Sequence, residues 1–322
     1  MIKRYDVLCV GSATLDNFLT TDCSLKSVKL GDKVLVKKIE KHSGGGATNS
    51  AAALSKLGLK VKLLSKLGND HDAEFILREL KQYNLKNVCL HPSKHNTDFS
   101  TIISCPHKDR DRIIYVHKGA SRDLSVNDFK KSQLKAKWIY LASLMGKSFQ
   151  TGKEIAQHAK KKKIKLLFNP SLYLAKKGKK YLKLVLEATT LLVLNKKEAQ
   201  VLLGTKTNSY KELLMGLYEL GPETIVISNG RKMTYAFHDD NFYSILPTDI
   251  KVIHTAGAGD AFTSGLLAGM IKKYSFEDAL KLGVANSLSV IQHVGTKNKL
   301  LNEREAKLMM KKYRLKVVKH AF

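Results

Sequence analysis

The chain has 322 residues, of which 43% are hydrophobic and 26% are charged, as in folded globular proteins and unlike disordered or fibrous chains. Its formal net charge is +28, yet only eight of its 56 basic residues are Arg, the residue that usually reads bases and clamps phosphates. The excess of Lys therefore indicates a solvated basic surface and does not favour a nucleic-acid partner.

The sequence also argues against a membrane protein and a disulfide-rich protein. No run of about 18 apolar residues is present, so no membrane span is predicted. None of the cysteines forms a C-x-x-C pair, and no histidine cluster stands near them at the spacing of a zinc site. We therefore expect reduced thiols, and a cytoplasmic location, for a chain with Cys9, Cys23, Cys89 and Cys105.

Short apolar runs alternate with longer helical patterns along the chain. The predicted strands are Tyr5–Val10, Lys60–Leu64, Lys137–Leu141, Ile164–Phe168, Leu191–Leu194 and Thr224–Ser228. Helices are predicted between them at Ala47–Leu57, Asp70–Tyr83, Gln150–Lys161 and Lys196–Leu203. Because most of these strands are apolar throughout, the pattern predicts a doubly wound, mainly parallel α/β sheet with helices on both faces.

Four segments that are more polar than these strands interrupt the alternation, at Ala13–Thr20, Lys33–Lys41, Thr97–Cys105 and Arg112–His117. No long helix separates the members of each pair, so they predict a small antiparallel sheet. We expect two excursions, at about 13–41 and 97–118, from a single domain that covers residues 1–322. Such a sheet at a substrate-facing edge would act as a lid. Three helices are predicted to follow, at Gly257–Lys273, Phe276–Val294 and Glu303–Tyr313.

The strongest chemical signal is the run HTAGAGDAFTSG at residues 254–265. Small residues lead directly into a helix, so free backbone N–H groups and the positive helix end coincide in an anion site. Asp260 would stand in the first turn, where a carboxylate suits a proton acceptor for a hydroxyl that attacks a phosphate. The alternative is a glycine-rich helix start with an ordinary first-turn acid.

Two other phosphate-binding motifs fail in this chain. Gly257, Gly259 and Gly265 do not form G-x-G-x-x-G, because position 262 is Phe. Gly146-Lys147-Ser148 resembles the end of a Walker A loop, but position 141 is Leu where the loop needs Gly. A Rossmann dehydrogenase and a P-loop enzyme are therefore not indicated.

A second glycine-rich run precedes the helix that is predicted at Ala47–Leu57. Three glycines follow Ser43 and allow the backbone to approach a polyol closely, while Asn49 offers both a donor and an acceptor. Taken alone, this run would equally fit a tight turn with close packing of a helix on a sheet.

Together the two runs resemble the signatures of the ribokinase/PfkB family of carbohydrate and nucleoside kinases. They read GGGATNSAAALSKLG at residues 44–58 and HTAGAGDAF at residues 254–262, in the family's order, and the resemblance spans nearly the whole chain. It implies a ribokinase-like fold with a β lid, and a kinase that transfers phosphate from ATP, with Mg²⁺, to an alcohol.

The resemblance also implies roles for individual residues. Asp260 matches the catalytic base, and the backbone of Gly257, Ala258 and Gly259 matches the anion hole. The residues that match the acceptor site are Asp16, Gly44, Gly45, Asn49 and Lys118.

On the nucleotide side, Asn195 and Glu198 match the family's N-x-x-E motif, in which the acid orients water-bound Mg²⁺. A capping box fits the same spacing. The other residues that match the nucleotide site are Asn229, Gly230, Thr255, Asn286 and Gly295. Asn229-Gly230 would also suit a hairpin turn, and Asn286 an exposed helix position.

The chain departs from the family pattern at three positions. His254 replaces an Asp that often helps to hold a monovalent cation, so activation by K⁺ is in doubt. Gly46 stands where ribokinases carry Lys, and Thr14 replaces a polar amide. The resemblance therefore does not single out ribose as the acceptor.

Three acceptors stay open: a furanose or hexose first, then a nucleoside, then a sugar phosphate. A nucleoside would need an aromatic slot, for which Phe18, Phe99 and Tyr115 are candidates. A different class is a degenerate kinase fold that only binds ligands, against which the intact run from Gly257 to Asp260 argues. An exposed lid edge would pair with a second copy, so a homodimer is expected.

Overall fold

The computed structural model describes residues 5–105, 112–246 and 248–320. Its strands are β1 (Tyr5–Val10), β2 (Thr14–Thr21), β3 (Val36–Gly44), β4 (Val61–Leu64), β5 (Asp98–Ser104), β6 (Arg112–His117), β7 (Ala136–Ala142), β8 (Lys165–Asn169), β9 (Leu191–Asn195), β10 (Thr224–Ser228), β11 (Thr234–His238), β12 (Asn241–Ile245) and β13 (Val317–His320). Its α-helices are α1 (Gly46–Lys56), α2 (His71–Lys81), α3 (Lys147–Lys161), α4 (Leu172–Ala175), α5 (Gly178–Leu186), α6 (Lys196–Leu203), α7 (Tyr210–Tyr218), α8 (Ala258–Ile271), α9 (Phe276–Val290) and α10 (Glu303–Lys312).

The large sheet has nine strands in the order β13-β12-β11-β10-β9-β8-β7-β1-β4. Six neighbouring strands of this sheet, in the order β10-β9-β8-β7-β1-β4, run parallel, which confirms the predicted doubly wound sheet. The antiparallel edge formed by β11, β12 and β13 was not predicted from the sequence. Strands β11 and β12 mix buried with partly exposed residues and β13 is mostly exposed, so no continuous apolar run marks them.

The parallel strands are apolar throughout because both faces of the sheet are covered. In β1, Val7 and Cys9 pack into one core, whereas Leu8 and Val10 pack into the core on the other face. Side chains alternate between the faces of a strand, so both sets must be apolar. Helices α1, α2, α8, α9 and α10 contribute to the first core, and α3, α5, α6 and α7 contribute to the second.

Helices α8 and α9 approach each other with their backbones nearly in contact. A Cβ atom on Gly265 would lie 2.7 Å from the carbonyl oxygen of Leu282, and one on Gly269 would lie 2.7 Å from Cα of Ala279. Glycine removes the side chain that would separate the two helices. This close packing holds the first turn of α8, which carries Asp260, against the rest of the domain.

The small sheet has the order β3-β2-β5-β6. Pairing is antiparallel within each predicted excursion, as expected, but the two excursions join through the parallel pair β2–β5. Both of these strands begin at the edge of the domain, where Thr14 lies beside Asp98, and run outward. Residues 106–111, which belong to the second predicted excursion, lie outside the described residues.

Two simpler findings complete the fold. Among the described residues, no helix is both long and apolar enough to cross a bilayer. The four cysteines carry free thiols.

We expect Gly269→Ala to destabilise the protein by about 1–3 kcal/mol, because the added methyl group would overlap the backbone of α9. Gly152→Ala in α3 is the matched control, since its Cβ would lie 3.4 Å from the flexible side chain of Leu144. This control should be neutral or stabilising by about 0.5–1 kcal/mol. Urea unfolding of both variants measures the difference, and equal stabilities would contradict the packing argument.

Candidate active site

A cleft of about 330 Å³ opens at the carboxyl edge of the large sheet. This is the edge at which open α/β sheets bind ligands. The wall on one side comes from the β1–β2 turn, α1 and α8, and the opposite wall follows β8, β9 and β10. The polar residues that line it include Ser12, Asp260, Thr263, Asn169, Asn195, Glu198 and Ser228.

The first turn of α8 begins with backbone that only glycine suits. Gly257 has φ +79°, and a Cβ there would lie 2.4 Å from the carbonyl oxygen of Thr296. The Cβ position of Gly259 has no atom within 4 Å, so its backbone is open to the cleft. Because the first N–H groups of a helix lack intrahelical acceptors, this turn can hold an anion next to Asp260.

Asp260 is oriented by a hydrogen bond from the second glycine-rich run. Asn49 Nδ2 donates to Asp260 Oδ2 at 2.8 Å, and Thr296 Oγ1 donates to Asn49 Oδ1 at 2.9 Å. The threonine thus fixes the amide so that its NH₂ group faces the carboxylate. The two predicted motifs, 211 positions apart, meet at this contact.

Burial raises the pKa of Asp260 to about 6, and the nearby Asp16 adds to the rise. The hydrogen bond from Asn49 and the charge of Lys297 oppose it. A carboxylate with this pKa is ionised at neutral pH and still basic enough to accept a proton from a hydroxyl group.

Asp16 lies on β2, near enough to Asp260 for its charge to act on that carboxyl group. Ser100 Oγ donates to its Oδ1, and a Cβ on Gly44 would lie 1.8 Å from its Oδ2. Gly45 has φ +95°, and a Cβ there would lie 2.5 Å from the carbonyl oxygen of Ser12. Burial raises the pKa of Asp16, while Ser100, Lys297 and Lys118 lower it.

Lys297 is a residue of this site that the sequence analysis missed. It is only 4% exposed, and its Nζ donates to the carbonyl oxygen of Ser43 and, at 2.6 Å, to Ser43 Oγ. Glu79 Oε1 lies 3.6 Å from Nζ, and Glu79 Oε2 accepts the N–H of Ser43 at 2.7 Å. Burial lowers the pKa of Lys297, whereas Glu79, Asp16 and Asp260 favour its charged form. Nothing in a lysine-rich sequence marks this one as buried.

Lys118 forms an ion pair with Asp98 across 3.1 Å. Asp98 is fully buried and also accepts the N–H groups of Gly119, at 2.9 Å, and Ser121, at 3.1 Å. Lys118, which was predicted to match the acceptor site, is therefore held by an ion pair at the start of the small sheet and is not free in solvent.

Asn195 and Glu198 form a capping box, as their spacing allowed, and both also line the cleft, so their role on the nucleotide side stays a prediction. Glu198 N–H donates to Asn195 Oδ1, and Asn195 N–H donates to Glu198 Oε2, each at 2.9 Å. Burial raises the pKa of Glu198. Asn169, which the sequence analysis missed, lies beside them and donates to the carbonyl oxygen of Val193 at 2.7 Å.

Asn286 lies elsewhere than predicted. It is fully buried, donates to the carbonyl oxygen of Ala261 at 2.9 Å and accepts the N–H of Leu301 at 3.2 Å. Since both ends of its amide are occupied within the protein, its contacts join α8 and α9 to the next loop. It is neither an exposed polar residue nor a residue with a free group for a purine.

The remaining predicted nucleotide residues lie in turns. Asn229 and Gly230 belong to the β10–β11 hairpin, where Asn229 Nδ2 donates to the hydroxyl of Tyr210 at 2.8 Å and Gly230 has φ +57°. Gly295 has φ +94° and lies next to His42. Thr255 Oγ1 accepts a hydrogen bond from Arg112 of β6 at 2.8 Å, a contact between the small sheet and the anion loop that the sequence did not indicate.

His254 does not replace the charge of the Asp that the family carries at its position. Its Nδ1 accepts the N–H of Ala256 at 3.1 Å, and burial together with the charge of Arg112 lowers its pKa to about 4. The ring is therefore neutral at physiological pH and offers no negative charge to a cation.

Comparison with known proteins gives a consistent result. The sequence profile described as pfkB family carbohydrate kinase matches residues 5–303. The ATP-dependent 6-phosphofructokinase of Thermoanaerobacterium thermosaccharolyticum is 24% identical over 304 residues, which cover 91% of this chain and 90% of that protein. Ribokinase of Bacillus subtilis is 25% identical over 290 residues, which cover 88% of this chain and 92% of that protein.

The fold has solved counterparts. The crystal structure of a nucleoside kinase from Methanocaldococcus jannaschii, described as an archaeal member of the ribokinase family, superposes with a TM-score of 0.80. The two chains are 22% identical, and the match covers 96% of this chain and 99% of that one.

We expect Lys297→Met to move the acid limb of kcat/KM to higher pH by about one pH unit, because a nearby positive charge that lowers the pKa of Asp260 is lost. The charged groups that act on Asp260 are Lys297 and Asp16. Those that act on Lys297 are Glu79, Asp16 and Asp260. Activity rises as Asp260 loses its proton, so the wild-type limb should lie near pH 6. Lys297→Arg keeps the charge and should keep the limb. An unmoved limb in a folded Lys297→Met variant would contradict this assignment.

Proposed function

The chain belongs to the pfkB family of carbohydrate kinases and is a phosphotransferase, and on this basis we propose that it transfers the γ-phosphate of ATP to a hydroxyl group of a sugar. One observation carries the proposal: the carboxylate of Asp260 stands in the first turn of α8, beside open backbone N–H groups, and is oriented by Asn49 at 2.8 Å. A proton acceptor and an anion site thus coincide, as phosphoryl transfer requires.

The proposed mechanism follows from the positions of these groups. Asp16 and Asn49 bind hydroxyl groups of the acceptor and direct one of them toward Asp260. Asp260 accepts the proton of this hydroxyl as its oxygen attacks the γ-phosphorus and the bond to the bridging oxygen of ADP breaks. The N–H groups of Gly257 and Gly259 stabilise the charge that develops on the phosphoryl oxygens, whereas the N–H of Ala258 donates to the carbonyl oxygen of Thr255 at 3.3 Å.

The nucleotide occupies the opposite wall of the cleft in this proposal. Asn195, Glu198 and Thr255 lie nearest to its phosphates, and the hairpin turn at Asn229 and Gly230 lies beyond them. When bound, Mg²⁺ neutralises phosphate charge, and Glu198, the carboxylate on the nucleotide wall of the cleft, suits an ion held mainly by phosphate and water. Since His254 is neutral, we propose no monovalent-cation site at its side chain.

The aromatic residues support a sugar rather than a nucleoside. Successive side chains of a strand point to opposite faces, so Phe99 points away from the face of Ser100, which contacts Asp16. Tyr115 is paired with Thr101 and shares the face of Phe99. Phe18 lies on the acceptor face, but its ring is 3% exposed and packs against His42 and His254. None of the three offers an open ring on the face of the small sheet that carries Asp16.

The small sheet is proposed to act as a lid, because Arg112 already reaches the anion loop from it. It is also proposed to pair with a second copy of the chain. Every residue of β6 is exposed, including Ile113, Ile114, Tyr115 and Val116, and β6 is an edge strand. An exposed apolar edge seeks a partner strand. The free thiols suit a reducing compartment, and the cytoplasm is the proposed location.

We expect Asp260→Asn to lower kcat by about 100-fold to 10,000-fold while ATP still binds, because the proton acceptor is lost. The experiment is a coupled assay with ATP and Mg²⁺ over ribose, fructose, hexoses, sugar phosphates and nucleosides, with Asp260→Asn as the blank. Turnover of a sugar supports the proposal, and turnover of nucleosides alone favours a nucleoside kinase. Absence of turnover above the blank would indicate a binding protein.

The same substitution should stabilise the protein at neutral pH. The folded-state pKa of Asp260, about 6, exceeds the ordinary value of 3.8, so ionisation destabilises the folded state increasingly between these values and fully above about 6. Asp260→Asn should therefore raise the free energy of unfolding at pH 8 by about 1–3 kcal/mol, and the gain should vanish near pH 4. Asp240→Asn, in an exposed turn, is the control. A gain that does not depend on pH would contradict the assigned pKa.

We expect Ile114→Asp to convert a dimer into monomers, because the substitution places a charge in the exposed apolar strand that is proposed to pair. Light scattering after size exclusion measures the mass, and Leu308→Asp, at an exposed position of α10, is the control. A wild-type monomer at micromolar concentration would refute the proposed dimer.

A further inference from the structure

A second cavity, of about 410 Å³, lies between the small sheet and the start of α3. Its charged lining comes from three different elements: Lys118 follows β6, Arg122 ends a short 3₁₀ helix, and Lys147 is the first residue of α3. The lining also includes His95, His117 and Asp123, and we call this cavity the basic pocket. Its three cations thus converge on one concave surface.

The basic pocket lies near Asp16, the residue that the proposed mechanism assigns to the acceptor. Lys147 stands four positions after Ser143, which lines the cleft where β7 ends. Lys118 is close enough to Asp16 to lower the pKa of that carboxylate. The nucleotide wall of the cleft, with Asn195 and Glu198, lies on the other side of Asp260. A molecule that binds to Asp16 is therefore within reach of Lys118, a residue of the basic pocket.

The basic pocket has an excess of positive charge. Its one carboxylate, Asp123, is engaged by Ser93 Oγ and by His95 Nδ1 at 2.6 Å. Lys118 is paired with Asp98 behind the lining. Within the part of the chain that the structure describes, no carboxylate lies within 4 Å of the guanidinium of Arg122 or the ammonium of Lys147. Two exposed cations in a cavity thus remain available to a ligand.

We propose that the basic pocket binds an anionic group, a phosphate ester or a carboxylate, that the acceptor sugar itself carries. The planar guanidinium of Arg122 suits two oxygens of such a group, and Lys147 and Lys118 add point charges. This inference rests on the proposed function, since it specifies the acceptor of the same reaction. The anionic group stays unchanged, while a separate hydroxyl attacks the γ-phosphorus, releases ADP and gives its proton to Asp260.

The test compares acceptors in matched sets: ribose with ribose 5-phosphate, fructose with fructose 6-phosphate, and glucose with gluconate. We expect kcat/KM for an anionic acceptor to exceed that of its neutral partner about 10-fold or more. Arg122→Ala and Lys147→Ala should each lower kcat/KM for the anionic acceptor about 10-fold through KM, with kcat and the neutral acceptor unaffected. Lys161→Ala, an exposed lysine in the last turn of the same helix, is the control and should change neither.

Binding without turnover separates this inference from the proposed function. Ribose 5-phosphate, fructose 6-phosphate and gluconate are titrated calorimetrically into Asp260→Asn, with and without Arg122→Ala. Tighter binding of an anionic sugar that depends on Arg122 supports the basic pocket even if no acceptor is phosphorylated, and the better ligand identifies phosphate or carboxylate. Neutral sugars that bind and react as well as anionic ones, with Arg122→Ala and Lys147→Ala silent, would overturn the inference and leave the kinase assignment intact.

Discussion

The hydrogen bond between Asn49 and Asp260 is the contact on which the rest of the site depends. It joins the first turns of two helices, α1 and α8, whose glycine-rich starts are distant in the sequence. Each start needs glycine because the backbone passes another chain segment too closely for a side chain, as Gly45 does at Ser12 and Gly257 does at Thr296. The close approach of these backbone segments therefore also sets the orientation of Asp260.

Charge balance is the second constraint on the site. Burial raises the pKa of both Asp16 and Asp260, and the charge of Asp16 further disfavours ionisation of Asp260. Lys297 lies buried near both and is itself held by Ser43 and Glu79. A buried cation is unfavourable alone, but here three oxygen atoms, from Ser43 and Glu79, and the nearby carboxylates of Asp16 and Asp260 favour its charged form. Its positive charge in turn lowers the pKa of Asp260 and favours the ionised carboxylate.

In the proposed mechanism, the small sheet connects binding of the acceptor with the reaction. Asp16 and Lys118 lie at its inner end, Arg122 follows it, and Arg112 reaches across to Thr255 of the anion loop. Movement of this sheet would thus act on the acceptor and on the anion site together. Its outer strand exposes apolar residues, so association with a second copy would restrict the same movement.

The sequence by itself determined the parallel part of the large sheet and the two glycine-rich runs. Strands that are buried on both faces must consist of apolar residues, and a turn that binds an anion must consist of small residues. Both requirements therefore produce a local pattern in the sequence. Tertiary structure alone decided the roles of Lys297, Thr296 and Arg112, because each acts through a partner at least 140 positions away. It also placed Asn286 inside the core, since an amide that bonds to two distant backbone groups looks, in sequence, like any polar residue on a helix. The edge strands β11 to β13 were not predicted, because they contain no continuous apolar run.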